Sequence, residues 1–446
     1  MKPNDIRKSF LNVLADTEKN IDQFVNRPGS DMIRHRSCSF KDTVLSVLSF
    51  SMNRLDTEML NYFCTKSPGS KADDIGPSPS AFIQQRHKFN SKLFPHLLSA
   101  FNQAIPFQET FKGHHIVAVD GTDLDLPTHK SDSVYCVKQA RSDDVYYQMH
   151  INALFDIQEN RYVSLLTQPR PQMNESAAFL QMISESGLPS NTIFLADRGY
   201  ISVNTIASLI ASNRLFLIRA KTPEPSNAFL KGLVPEDAEA DRWVTISASR
   251  SEKAARSIQS DKFIKARTDR PFDLIPLNDH ETVWAGSIRC TSIKLDDGNY
   301  EFLVSNLPSE AFSPADLKDL YWLRWGIETS FRSLKYALSL SYLHSVSRDL
   351  IIQEVFAKAV LYNFVSLIHA DVEQSEEMEA IAKRRKRKYK VSFDNAVAAS
   401  VLYLKRKMSA LKLKCWLLRN LTMVKEGRSY PRKVRSQTVR PLSSRA

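Results

Sequence analysis

Hydrophobic positions in the first hundred residues recur at helical spacing. In FKDTVLSVLSFSM the residues Phe40, Val44, Val47 and Leu48 share a face, and in AFIQQRHKFNSKLFPHLL so do Phe82, Phe89, Leu93 and Leu97. The stretch SPGSKADDIGPSPS between them reads as a loop from its Pro, Gly, Ser and Asp content. Two amphipathic helices with a polar connector suit either a helix-turn-helix DNA reader or plain helical packing. From His114 the pattern changes to short β-rich runs, HHIVAVDG, MHINALFDI and RYVSLLTQ, followed by a helix through ESAAFLQMISESG. The strand TIFLADRGY, the helix VNTIASLIASN and the strand LFLIRA complete a mixed α/β order. After Lys221 the strands RWVTISASR, TVWAGSIRCTSIKL and NYEFLVSNL predict a β-rich insertion. A long helix then spans SPADLKDLYWLRWGIETSFRSLKYALSL, with Ser313 as N-cap and Pro314 at its first position.

The 446 residues contain 43% hydrophobic, 10% aromatic and 25% charged residues, which marks a globular chain. Length alone predicts two to four structural units, at roughly 100–200 residues each. The most apolar run, AVLYNFVSLIHA, is broken by Asn363 and Ser366 and falls short of a membrane span, and MKPNDIRKSF has no signal-peptide core. Cys38, Cys64, Cys136, Cys290 and Cys415 are scattered without paired spacing, so neither zinc nor a disulfide framework is expected, and a reducing cytoplasm is the simplest home. Charge is more informative. The net charge is +12, yet Lys383–Ala446 alone carries 20 Lys and Arg against Asp394 and Glu426, a balance of +18 that leaves −6 on the other 382 residues. Such a block suits a polyanion such as nucleic acid, or forms a solvated tail.

In the long helix, Tyr321, Arg324, Glu328 and Lys335 fall within a ~60° stripe at ~100° per residue, beside an apolar face made of Leu323, Ile327, Leu334 and Leu338. Arg324 and Glu328 are also spaced for a simple surface ion pair. Two further carboxylates change the picture: Asp120 ends the apolar strand HHIVAVDG, and Asp197 ends TIFLADRGY. A charge at a buried strand end must be paired or hold a cation. If the strands are neighbours, Asp120 and Asp197 meet, and Glu328 from a helix on the same sheet completes an all-oxygen site for two magnesium ions, the arrangement that serves in-line phosphoryl transfer. Asp123 and Asp125 are less suitable because they lie beyond the Gly121 turn.

These motifs resemble the bacterial insertion-sequence DDE transposases of the IS-four type. Tyr321, Arg324, Glu328 and Lys335 reproduce the Tyr-x2-Arg-x3-Glu-x6-Lys signature, while DGT at Asp120 and ADRGY at Asp197 resemble the two aspartate motifs, over about residues 30–370. The resemblance implies an α/β fold: an RNase H-like mixed-sheet catalytic core interrupted by a β-rich insertion, with helical N-terminal and basic helical C-terminal regions. The expected division is a helical DNA-binding region at 1–110, core at 111–221, insertion at 222–311, the last core part with the catalytic Glu at 312–372, and a basic region at 373–446. Asp120, Asp197 and Glu328 are then the catalytic metal ligands, for two Mg2+ ions that Mn2+ can replace. Tyr321, Arg324 and Lys335 contact phosphates, Trp325 packs beside Arg324, and Arg219 and Lys221 of FLIRAKT are backbone contacts or plain surface charges. The implied activity is cut-and-paste DNA transposition. Its partners are double-stranded DNA, namely terminal inverted repeats and target, with a homodimer in the DNA complex, no membrane, and a bacterial cytoplasmic, nucleoid-associated location. Some members hold a flipped base on an insertion tryptophan, for which Trp243 and Trp284 are both candidates. Two rival readings are a catalytically silent or domesticated DNA-binding protein and a metal-dependent nuclease without strand transfer.

Overall fold

Apolar faces of helices at both ends of the chain converge on one side of a large twisted sheet. The computed structural model describes residues 1–33, 38–63, 76–129, 131–138, 145–224, 228–269 and 272–424. Five helices come first: α1 (Pro3–Lys19), α2 (Phe40–Leu48), α3 (Leu55–Phe63), α4 (Pro79–Arg86) and α5 (Leu93–Ala104). Ser39 and Asp42 form a reciprocal cap at the start of α2, as its sequence position favours. The second amphipathic run is thus two helices. Pro95 lies in the first turn of α5, where its missing N–H is harmless, whereas a helix running through from Ala81 would place it in the interior. The connecting turn is held by residues 23–26: Asn26 donates to the carbonyls of His87 and Phe89, and Asn90 donates to that of Gln23.

The sheet is built from β1 (His115–Leu126), β2 (Cys136–Lys138), β3 (Val145–Asp156), β4 (Arg161–Pro169), β5 (Thr192–Ala196), β6 (Leu215–Ala220), β7 (Ala240–Ser249), β8 (Lys262–Lys265), β9 (Val283–Lys294) and β10 (Tyr300–Ser305). Its order is β4-β3-β1-β5-β6-β10-β9-β7-β8, with short β2 beside β4 on the edge of β3. Strands β4 and β1 each pair antiparallel with β3, and β5 and β6 run parallel to β1. The strands of the segment expected to be β-rich extend this same sheet, because Phe302–Ser305 of β10 pair antiparallel with Ala220–Leu217 of β6.

Alternation along the strands produces two apolar faces. Ile116, Ala118, Ile193, Leu195 and Leu217 belong to one core, shared with the helical N-terminus and the later helices. Val117, Val119, Phe194, Phe216 and Ile218 face the other, where α6 (Glu175–Glu185) and α7 (Val203–Ala211) contribute Phe179, Met182, Ile206 and Leu209. The short α8 (Glu252–Ala255) follows β7.

The helix expected to start at Ser313 is capped there reciprocally with Asp316 and has Pro314 at its first position, but it is interrupted. It divides into α9 (Pro314–Leu323) and α10 (Trp325–Lys335) at Arg324, where Arg324 N–H bonds to Tyr321 O and Ile327 N–H to Arg324 O, tightening the turn to i→i+3 bonds. At the same place Gly326 lies so close to Ile157 that an added Cβ would stand 3.1 Å from its Cδ1.

The 26-residue α11 (Arg348–Glu373) follows; it is long and apolar enough to cross a bilayer, yet 89% of its most apolar window is buried inside the protein. Helix α12 (Glu376–Arg384), strand β11 (Tyr389–Lys390), helices α13 (Phe393–Leu404) and α14 (Ala410–Arg419) and strand β12 (Thr422–Met423) close the described chain.

Candidate active site

The sheet register brings the two aspartates together. Parallel pairing of β1 with β5 sets Ala118 opposite Leu195, so two residues on Asp120 and Asp197 come level and on the same face. At that level β5 has ended at Ala196 while β1 continues, which opens a gap beside Asp120. Asp120 therefore lies mid-strand and not at a strand end, and where a turn was expected at Gly121 the strand continues to Leu126. Only Asp197 directly follows its strand, at the entry to a 3-10 turn over Arg198–Tyr200.

Helix-borne groups close the gap. One Arg324 nitrogen lies 3.3 Å from Asp120 Oδ2 and another donates to Glu328 Oε1 at 2.9 Å, so a single guanidinium links a strand carboxylate to a helix carboxylate. The Tyr321 hydroxyl donates to Asp197 Oδ1 at 3.1 Å, and the guanidinium of Arg324 lies 5.6 Å from the Tyr321 ring and 5.4 Å from the Trp325 ring. Both Tyr321 and Arg324 are 3% exposed, so the polar stripe points into the protein. Burial pushes the Asp120 carboxyl up to about 6; Gly121 N–H and Arg324 oppose this, while Glu328 and Asp197 add to it. Burial likewise raises the Tyr321 hydroxyl, with Asp197 adding to the effect, so it stays protonated and donates.

Lys335 turns inward as well. Its ammonium donates to Thr122 Oγ1 at 2.7 Å and to the Asp123 carbonyl at 2.6 Å, gripping the strand just past Asp120, and burial draws its pKa down. Arg219 is partly exposed, 3.6 Å from Glu301 and beneath the Tyr321 ring at 5.9 Å. Lys221 is exposed and lines a groove of about 1100 Å³ that begins at Asp197 and Arg198 and runs to Phe263 and Phe272. Lys262 in that groove is committed to the carbonyls of Ala228, Phe229 and Lys231.

Of the two insertion tryptophans, Trp284 is packed against Phe272 and over Gly286, where a Cβ would meet its ring at 2.6 Å. Trp243 is 44% exposed and donates to Ser309 Oγ. Two exposed aromatics, Trp322 and Tyr336, are not among the candidates that the sequence suggests. Trp322 is nevertheless legible on the helical wheel, since ~100° from Tyr321 places it off both the leucine face and the polar stripe.

The donor set fits a divalent cation by chemistry: only carboxylate oxygens, partly desolvated, with a neighbouring cation needed to balance them. In the arrangement described, the balancing cation is Arg324. Among the described residues no group of three or more His, Cys, Asp or Glu side chains is disposed to hold a metal.

Residues 111–364 match the family described as Transposase DDE domain, and the chain belongs to that family. The matched segment holds Asp120, Asp197, Glu328 and all the groups gathered around them. No curated protein matches the chain. Among solved structures it is similar to the piggyBac transposase synaptic complex with hairpin DNA, at 12% identity and a TM-score of 0.43, covering 91% of this chain and 81% of that one.

Proposed function

We propose that the chain is a DNA transposase of the bacterial insertion-sequence, IS-four type, which binds terminal inverted repeats and catalyses metal-dependent cleavage and strand transfer. The observation that carries this reading is the meeting of Asp120, Asp197 and Glu328 around Arg324 and Tyr321, inside the segment that defines the family. The strand order β4-β3-β1-β5-β6, antiparallel and then parallel, supports an RNase H-like core. Asp120, Asp197 and Glu328 would hold Mg2+, two ions in all, with Mn2+ able to replace it. Bound there, the metal supplies activation of an attacking oxygen and stabilisation of the leaving oxygen.

This chain's own residues do the rest. Tyr321 orients Asp197 through its hydroxyl, and Lys335 fixes the strand that bears Asp120. Arg324 neutralises Asp120 and Glu328, and its forked donors suit a phosphate once those carboxylates are engaged elsewhere. Its Nε is buried with no hydrogen-bond partner among the described residues, a donor left for an incoming acceptor. Exposed Lys221 and Arg198 at the mouth of the groove, with Arg219 beside Tyr321, give the backbone contacts. The exposed rings of Trp322 and Trp325 border the same helix break and suit nucleobases. The helical N-terminal region and the basic C-terminal region bind the ends, a homodimer pairs them, and the protein acts on cytoplasmic, nucleoid-associated DNA.

The test is an in vitro assay on the DNA ends flanking the gene, with Mg2+ and with Mg2+ withheld. Glu328→Gln keeps the side-chain size and removes a ligand charge, so cleavage should fall by orders of magnitude while end binding stays nearly unchanged. Cleavage at the normal rate by E328Q refutes the catalytic assignment. Wild-type protein that binds the ends without cutting is a silent DNA-binding protein, and cutting without joining marks a nuclease.

A further inference from the structure

Behind Asp120, on the opposite face of the sheet, lies a charged cluster that the site described above does not use. Antiparallel register sets His150 of β3 opposite Asp123 of β1, two register positions beyond the Gly121–Asn152 pair and so on the same face as Gly121. The His150 ring is 4% exposed; Nδ1 lies 2.7 Å from Asp123 Oδ1 and Nε2 lies 3.1 Å from Glu175 Oε1, in the first turn of α6. Arg170 Nε donates to the other Asp123 oxygen at 3.0 Å. Asp123, set aside in the sequence as lying beyond a turn, is thus the centre of a structural network.

Gly121 links this cluster to Asp120. A Cβ at residue 121 would stand 2.3 Å from His150 Nε2 and 2.8 Å from Glu175 Oε1, so the ring and the carboxylate pack directly on the strand backbone. From the other face Lys335 holds Thr122 Oγ1 and the Asp123 carbonyl. The four residues Asp120–Asp123 are therefore clamped from both sides of the sheet, at the level where β1 has lost β5 as a neighbour. Loss of a ladder partner leaves a strand free to shift, and a shift of about 1 Å at a reacting centre is enough to reduce rate by ~100-fold.

We propose that His150 is a positioning residue: its ring, held between Asp123 and Glu175 and packed on Gly121, fixes the strand segment that aims the Asp120 carboxylate at the active site. The inference rests on the transposase reading for what Asp120 does there. The charge state agrees with the geometry: burial pulls the imidazole down, but Asp123 and Glu175 together hold it up to about 9, while His150 and Arg170 draw Asp123 below its usual value against the effect of burial.

The experiment compares wild type, His150→Ala, His150→Gln, Gly121→Ala and the H150A/G121A double variant, each at a temperature well below its own Tm. Mn2+ affinity is measured by calorimetry on the DNA-free protein, end affinity by DNA titration, and cleavage at saturating end DNA. H150A is expected to lose about tenfold or more in both Mn2+ affinity and cleavage rate, with end affinity within about twofold. H150Q, which retains a donor for Asp123, should recover most of the loss, and G121A carries the test if H150A does not fold. G121A should lose as much as H150A, because its Cβ strikes the ring. The double variant should be no worse than either single one, because the struck ring is gone and the other atom the Cβ would meet, Glu175 Oε1, is the end of a flexible side chain that can move aside. H150A, or G121A where H150A does not fold, with wild-type Mn2+ affinity and cleavage overturns the positioning role and leaves the transposase reading standing. Additive losses in the double variant also overturn it, since they separate Gly121 from His150. Wild-type protein that binds Mn2+ but cuts no DNA refutes the reading alone, as the Mn2+ comparison still judges His150. Wild type that binds no Mn2+ overturns both.

Discussion

Burial governs Asp156 at the end of β3. The residue is 1% exposed, and burial, with Glu159 adding to it, pushes the carboxyl up to about 7 although Glu159 N–H donates to it at 2.8 Å and Arg161 is near. A carboxyl whose folded pKa exceeds its unfolded value binds its proton more tightly in the folded state. Its contribution to stability is therefore full below about pH 4 and is lost as pH rises through about 7. Asp156→Asn keeps an acceptor for Glu159 and carries no charge, so at pH 8 it should be more stable than wild type by roughly 2–4 kcal/mol, with no gain at pH 4. Thermal melts across pH 4–8 check this, and parallel curves for the two proteins would show that Asp156 does not titrate with folding. The carboxylates of the candidate site were legible because Asp120 and Asp197 each follow an unbroken apolar run, residues 116–119 and 193–196. Asp123 was misread because GTD resembles a turn. The alternation Thr122, Leu124, Leu126 against Asp123, Asp125 was present in the sequence, but only the pairing with β3 decides that it is strand. His150 gave no separate signal, since one histidine in MHINALFDI says nothing of the glutamate from α6 that meets it.

Among elements, α11 holds the N-terminal helices to the sheet through buried charge. Arg86 of α4 is fully buried: it lies 3.1 Å from Glu354 Oε1, donates to the Leu350 carbonyl, and reaches Gln353, while His344 lies 3.2 Å from the other Glu354 oxygen. Lys358, one turn further along, donates to the carbonyls of Leu48 and Phe50 at the end of α2. Breaking a buried pair on one side strands a charge, so Arg86→Met should destabilise by about 3–5 kcal/mol, and R86M/E354Q should recover part of that loss. Denaturant midpoints measure both, and an additive double variant would mean that the pair acts independently. The same contacts bear on the helix-turn-helix alternative: α2 is buried at every position but Lys41, so in this arrangement its faces are spent on packing. The two amphipathic runs were readable by period, but α1 and α3 were not picked out, and the split of the second run needed Pro95 and the chain at residues 23–26 to be considered together. The helix break at Arg324 had no sequence signal beyond Gly326, because it arises from a guanidinium drawn to Asp120 more than two hundred residues away.

For the whole molecule, strand order was the least legible feature, since no local pattern states that β10 returns to β6 and carries β7, β8 and β9 into the core sheet. The basic C-terminal region was legible in charge but not in structure. Its residues 383–388 are exposed, whereas α13 buries Ala396, Val397, Ala399 and Tyr403 in the main core, and the Tyr403 hydroxyl donates to Asn4 at 2.7 Å. Removing everything from Lys383 onward would therefore strip core as well as charge and confound a binding measurement. Residues 425–446 lie outside those described and contain seven Lys and Arg against Glu426 alone. Truncation after Val424 leaves α13 and the described core in place, and should lower affinity for any duplex and flatten the slope of log K against log salt by about 0.9 for each phosphate that is no longer neutralised. Replacing Lys383, Arg384, Arg385 and Lys386 with Gln in the full chain should flatten it further if the exposed run at the end of α12 also lies on DNA. Binding titrations from about 50 to 200 mM salt resolve contributions of that size. An unchanged slope in the truncated protein would remove the terminal segment from the DNA surface and leave the groove cations at Arg198 and Lys221 as the principal partners of the phosphates.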